Sequence, residues 1–315
     1  MARSRQMQNT IDMVLSENNF DIVQTEFSSM GCYTLPNTIV KILDSHNVEY
    51  DNFRRMWLKT SSPLRKLHYF DEYKKFYHEE LENYKSQDAL FVTSSRDKQI
   101  LDADLPNLPK YVVPNGVDAS YFAPSPQSPE PYSMVFTGAM SYIPNSDAML
   151  YFLDSIFPLI QREIPEAKIY IVGSGPPKEL LRRATDKIVI TNFVDDVRPY
   201  VYRSSIFVVP LRMGGGTRLK ILEAMAMKKP IVTTSIGCEG IHVRHNESAL
   251  IADDPETFAQ YAVRLLRDAG LGRQLTTNGF ELMNAEYEWN VIGTQINSLY
   301  QQICKRSTYE PSVTI

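Results

Sequence analysis

Short apolar runs recur along the chain, each closed by glycine, proline or polar residues. They predict strands at residues 20–25, 38–43, 89–93, 111–114, 133–137, 168–172, 187–190, 206–210, 231–234 and 249–252. Helix-length patterned stretches lie between them. Helices are expected over residues 6–16 and about 63–85, with a shorter one after Ser94, and others start near Pro144, Pro177, Asp196, Thr217 and Pro255. Strand and helix in strict alternation are the mark of βαβ units on parallel sheets, so the fold class is α/β.

Residues 123–131 interrupt the alternation. The stretch APSPQSPEP carries four prolines and no core pattern, which predicts a stiff linker. It divides the chain into an N-terminal domain at 1–122 and a C-terminal domain at 132–284, with a closing helical segment at 285–315 expected to pack back toward the N-terminal domain. The second series has six strands, enough for a complete doubly wound domain. The first has four and opens on a helix, so that domain is either small or lacks its opening strands.

With 315 residues the chain can bury two sizeable cores. A net charge of −4 excludes nucleic-acid binding by bulk charge. Cys32, Cys238 and Cys304 are too scattered for a disulfide framework or a zinc site and suit a reducing, cytoplasmic compartment. No apolar run approaches the ~20 residues that span a bilayer.

The most informative chemistry lies after the run SIFVVP, in LRMGGGTRLKILEAMAMKK, residues 211–229. Gly214, Gly215 and Gly216 precede Thr217, Arg218 and Lys220 at the start of an amphipathic helix. Cations in a first helical turn oppose the macrodipole, so they imply an anion there, held by loop amides, the dipole and both side chains. The competing interpretation is an ordinary helix start, with Thr217 as N-cap and Lys220 paired to Glu223. Glu223, further along the same helix, could accept hydrogen bonds from ribose hydroxyls.

Gly173 and Gly138 each end an apolar strand, where a tight turn and a nucleotide-contacting turn are both open. His46 follows the strand TIVKIL; it faces a ligand or serves the loop. Asp102 and Asp104 form a DxD, taken as a solvated turn, and Asp195–Asp196 and Asp253–Asp254 are expected as acids at helix starts. No constellation suggests a metal. Arg54, Arg55, Lys59, Arg65 and Lys66, interleaved with Phe53, Trp57, Leu58 and Leu64, either touch an anionic membrane at its inner face or form a solvated face over core aromatics.

Taken in order, FDIVQTEFS, HNVEY, VVPNGVDASYF, MVFTGAMSYIPNSDA, KIYIVGSGP, VDDVRPY, the GGGTRLK–EAMA segment and EYEWNVIG resemble glycosyltransferase family 4, of the GT-B fold. The resemblance implies two Rossmann-like domains across a cleft, with the N-terminal one lacking its first strands here. It also implies a retaining, metal-independent transfer without a cofactor, from a UDP- or GDP-linked sugar to a cell-surface glycan or lipid-linked precursor. Glu223 matches the family's ribose-binding glutamate, Arg218 and Lys220 the pair that stabilises the leaving diphosphate, and His46 the histidine near the donor sugar. Gly138, Gly173, Gly214, Gly215, Gly216 and Thr217 fall on the donor side. Two departures stand out: the family's other glutamate is Gly215 here, and Ala139 and Met140 replace its basic residues after the first C-terminal strand. The alternative is a nucleotide-sugar-binding subunit that needs a partner to turn over.

Overall fold

The computed structural model describes residues 3–309, which divide into two compact units. The first unit runs to Pro114 and resumes at Gly293; the second is Asn115–Ile292. No helix among the described residues is long and apolar enough to cross a membrane.

In the first unit, α1 (Arg5–Glu17) precedes β1 (Ile22–Glu26), a 3-10 turn (Ser28–Cys32) and β2 (Val40–Ser45). Then follow α2 (Glu49–Lys59), α3 (Pro63–Lys85), β3 (Ala89–Val92), α4 (Ser95–Asp104) and β4 (Lys110–Val112). The four strands form one parallel sheet in sequential order, with Ile22 opposite Val40, Ile42 opposite Ala89 and Leu90 opposite Lys110. All four positions of β3 are buried, which explains its unbroken apolar run, since a covered parallel strand needs no polar alternation. Leu43, Val48, Tyr84, Leu90, Val92 and Leu101 make the core.

Two expectations change here. Helix α2 was not foreseen, because its polar sequence EYDNFRRMWLK hides the apolar stripe. Tyr50, Phe53 and Trp57 supply that stripe: Tyr50 meets Tyr77 edge-on at 5.1 Å, Phe53 stacks on Phe76 at 4.9 Å and Trp57 tilts against Phe70 at 5.0 Å between ring centres. The DxD is no solvated turn: it ends α4, Asp102 pairs with Lys98 at 2.7 Å and Lys110 at 3.1 Å, and Asp104 accepts from the hydroxyls of Tyr50 (2.6 Å) and Tyr77 (3.0 Å). Both carboxylates are already committed within the unit.

The second unit contains β5 (Ser133–Thr137), α5 (Ile143–Tyr151), a π-helical turn (Phe152–Ile156), α6 (Phe157–Glu163) and β6 (Lys168–Val172). It continues with α7 (Lys178–Leu181), β7 (Ile188–Ile190), α8 (Arg198–Arg203), β8 (Ile206–Val209), α9 (Leu219–Ala226) and β9 (Ile231–Thr233). β10 (Leu250–Ile251), α10 (Pro255–Arg267) and α11 (Ala269–Glu286) complete it. The final helix, α12 (Trp289–Tyr309), passes into the first unit, where Tyr300 bonds to Gln24 at 2.5 Å and Gln295 to the Val112 carbonyl at 2.9 Å.

All strands of the second unit are parallel, in the order β10-β9-β8-β5-β6-β7. Counted from β5 this is the doubly wound order 3-2-1-4-5-6. The chain reverses direction of travel between β5 and β8, and their carboxyl ends frame the crevice where such sheets bind ligands.

The proline-rich stretch at 123–131, expected as a linker, lies inside the second unit, and the chain leaves the first at Pro114. Its polar groups explain the difference. The Ala123 carbonyl accepts from the Tyr202 hydroxyl at 2.9 Å, the Glu130 amide donates to the Arg203 carbonyl at 2.7 Å, and the Ser205 hydroxyl donates to the Glu130 carbonyl at 2.7 Å. The stretch is strapped to α8 and its exit.

Candidate functional site

Glycine shapes the carboxyl ends of β5 and β6. Gly138 and Gly173 have φ of 151° and 146°, and a Cβ on Gly173 would sit 1.9 Å from the Gly138 carbonyl oxygen. Only glycine allows the two loops to touch there. Gly138 in turn lies against the site's polar groups, where a Cβ would come 2.8 Å from Asn145 Nδ2 and 2.9 Å from Lys220 Nζ.

Lys220 is the centre of the site. Its ammonium donates to Asn145 Oδ1 at 2.9 Å and lies 3.9 Å from the centre of the buried Phe136 ring. Asn145 is fixed because its Nδ2 donates to the Ala139 carbonyl at 2.9 Å. The helix α9 carries no acid in its first turn. Burial pushes the Lys220 ammonium down to about 7; the Arg218 charge adds to this and Glu223 partly opposes it.

The loop from β8 to α9 bends at Gly214 and Gly216, with φ of 122° and 72°. Arg218, 7% exposed, folds back onto the loop, donating to the Gly215 carbonyl and, at 3.2 Å, to the Ile236 carbonyl. The amides of Gly214, Gly215, Gly216 and Thr217 donate to no group among the described residues. Arg212 anchors the loop's start through Asp147 at 2.7 Å.

The plain helix-start interpretation does not survive. Arg218 rather than Thr217 occupies the N-cap, and the Thr217 hydroxyl is buried with no hydrogen-bond partner among the described residues. Lys220 bonds to Asn145 instead of Glu223. The Glu223 carboxylate, half-buried, accepts no hydrogen bond from the described residues, and desolvation raises its pKa while Lys220 lowers it. Two of the acids expected at helix starts act as such, Asp196 accepting from the Arg198 amide at 2.9 Å and Asp254 from that of Thr257 at 2.8 Å. Asp253 instead accepts from the amide and hydroxyl of Ser235 at 2.8 and 2.7 Å.

Gly138, Asn145 and Lys220 thus meet at the carboxyl end of β5, with Gly173 supporting the turn. Gly214 to Arg218 form the loop that leads into the same helix as Lys220, and Arg218 and Glu223 lie within electrostatic reach of its ammonium. His46 belongs to the first unit. It follows β2, stacks on Phe27 at 4.2 Å and bonds through Nε2 to Glu26 Oε2 at 2.8 Å. Asp44 joins them, the three residues offering one polar atom each within 4.8 Å of one another. Burial first, then the Glu26 charge, raises the Asp44 carboxyl to about 6, against the lowering effect of His46.

Sequence reasoning missed Asn145. A side-chain amide in the first turn of the helix IPNSDAMLY, closely following the glycine turn after β5, is the signal that would have found it.

Residues 131–268 match the family described as glycosyl transferases, group 1. A 44.6 kDa protein of the cps region of Klebsiella pneumoniae is 25% identical over 259 residues, covering 79% of this chain and 65% of that protein. A GDP-mannose-dependent α-(1-6)-phosphatidylinositol monomannoside mannosyltransferase of Mycobacterium tuberculosis is 24% identical over 232 residues, covering 65% of this chain and 59% of the enzyme. The chain therefore spans less than two thirds of the length of these relatives. Among solved structures, sucrose-phosphate synthase from Thermosynechococcus elongatus superposes with a TM-score of 0.73 at 17% identity, over 95% of this chain and 77% of that one. HepE from Anabaena, in complex with UDP, gives 0.73 at 12% identity, over 94% and 82%. At such identities the likeness carries the fold, which is GT-B with Rossmann-like units.

Proposed function

We propose, from the premise that residues 131–268 are a group 1 glycosyl transferase domain, that this chain moves a sugar from a nucleoside diphosphate to an acceptor hydroxyl. One observation carries the proposal: a desolvated lysine, Lys220, stands at the sheet's topological switch point, on the helix entered from a glycine loop whose amides have no partners among the described residues. Breaking a glycosyl–phosphate bond leaves its electron pair on the diphosphate, and stabilising that charge is the main electrostatic task. In this reading the diphosphate rests on Lys220 and on the amides from Gly214 to Thr217, where the start of α9 adds its dipole. Arg218 holds the loop in shape and adds positive potential. Glu223 receives the ribose hydroxyls, and Gly138 and Gly173 leave room for the nucleotide.

Retention of configuration and independence of metal belong to the proposal through the family resemblance, as does a UDP- or GDP-linked donor. The acceptor proposed is a glycan or a lipid-linked glycan precursor. The phosphatidylinositol monomannoside named for the mycobacterial relative supports the second of these.

The test is turnover of UDP- and GDP-sugars by the purified chain. In Lys220→Ala, loss of one preorganised cation predicts a fall in rate of about 10²–10³-fold. Glu223→Ala should raise KM for the donor more than it lowers kcat, since ribose binding is shared by ground and transition states. Folded variants that both retain full activity would overturn the assignment.

A further inference from the structure

The hairpin of α2 and α3 ends in a surface that the proposed transfer does not use. From Phe53 to Phe70 the chain carries five cations and no carboxylate, in a protein of net charge −4. Asp71 and Glu72 follow, met in the next turn by Lys74 and Lys75. The aromatic residues do not make this surface. Phe53 and Trp57 turn inward onto Phe76, Phe70 and Tyr73, the last at 6.2 Å. What faces out is leucine and charge. Leu64 is 84% exposed, Leu67 70% and Leu58 61%, with Met56 and the cations Arg54, Lys59, Arg65 and Lys66 exposed around them. Arg54, Arg65 and Lys66 have no ion-pair partner among the described residues.

We infer that this tip, Arg54 to Leu67, docks on an anionic phospholipid bilayer. Exposed leucines clustered on a monomer surface call for a partner. The surrounding cations narrow the choice. A second copy of the same tip would bring like charges together, and a soluble polyanion would satisfy the cations while leaving the leucines in water. A bilayer with anionic headgroups offers phosphate and hydrocarbon a few ångströms apart, which matches this arrangement of charge around leucine. The inference goes beyond the proposed transfer and rests on different residues.

The experiment is co-sedimentation of the full chain with vesicles of phosphatidylcholine, and with vesicles of phosphatidylcholine mixed with phosphatidylglycerol. These side chains are exposed, so their variants keep the core. Binding is expected only to the mixed vesicles, weakening as salt is raised. Each cation contributes roughly fivefold in partition at low salt, so Arg65→Glu/Lys66→Glu should lower it by about tenfold or more. Leu64→Ser/Leu67→Ser should weaken binding severalfold at every salt concentration while leaving the salt dependence intact. Failure to sediment with the mixed vesicles, equal binding to neutral ones, or indifference to the charge reversal would overturn the inference. Full binding by the leucine variant would also overturn it, since a contact made by charge alone fits any polyanion. The readout is independent of sugar transfer, so an inactive chain that binds vesicles, or an active one that does not, separates the two claims.

Discussion

Water stabilises an ammonium strongly, and Lys220 has given most of that up. Its remaining polar support is one amide oxygen, that of Asn145, and the face of Phe136. The proton is consequently held only to about 7 in the folded chain, against an ordinary 10.5. The cost to stability follows with a definite sign. The unfolded chain binds that proton up to the ordinary value, so the penalty is full below about 7 and fades as pH rises toward 10.5. Thr217, unlike Lys220, has a side chain with no hydrogen-bond partner among the described residues. Its buried, unbonded hydroxyl means that Thr217→Val should leave thermal stability unchanged or raise it by up to about 1 kcal/mol. If the hydroxyl donates to a bound diphosphate, the same variant should lose nucleotide affinity severalfold. A lower melting temperature with unaltered affinity would contradict both parts.

At the scale of elements, the site depends on the contact between the loops that follow β5 and β6. Gly173→Ala places a methyl group 1.9 Å from a backbone oxygen at a φ of 146°, where no flexible side chain can yield. The expected loss is roughly 2–4 kcal/mol, read as a lower denaturation midpoint at unchanged slope. A midpoint equal to wild type would show that the loops do not touch. The strands themselves were legible in the sequence, because strands covered on both faces are apolar throughout: β5 and β6 have the bounds the pattern gives. Glycine after an apolar run also marked the turns at Gly138 and Gly173, both at positive φ. Helix α2 was not legible, since its stripe is three aromatic residues, Tyr50, Phe53 and Trp57, in a charged sequence. The DxD misled because the partners of Asp104, Tyr50 and Tyr77, are distant in sequence. Proline in 123–131 signals stiffness but says nothing of what the stiff segment leans on, here α8. The start of α9 is expected near Thr217, but the fold puts Arg218 at the N-cap and begins the helix at Leu219.

For the whole molecule, the two proposals fall on two parallel sheets of four and six strands: the proposed nucleotide site on the six-stranded unit, and the basic, leucine-rich hairpin tip on the four-stranded one. The central claim concerns the first: a nucleoside diphosphate binds against Lys220. A dianion beside a lysine that titrates near 7 must raise its pKa, so binding takes up a proton. Affinity should then be greatest below about 7 and fall as pH rises toward the higher value of the complex. Calorimetric titration of the full chain with UDP and GDP, one pH unit above the Lys220 value and in two buffers of different ionisation enthalpy, measures that proton directly. The account predicts uptake of close to one proton per nucleotide, with uptake abolished and affinity reduced in Lys220→Met. Equal affinity in the variant, or binding with no proton uptake at that pH, would contradict it.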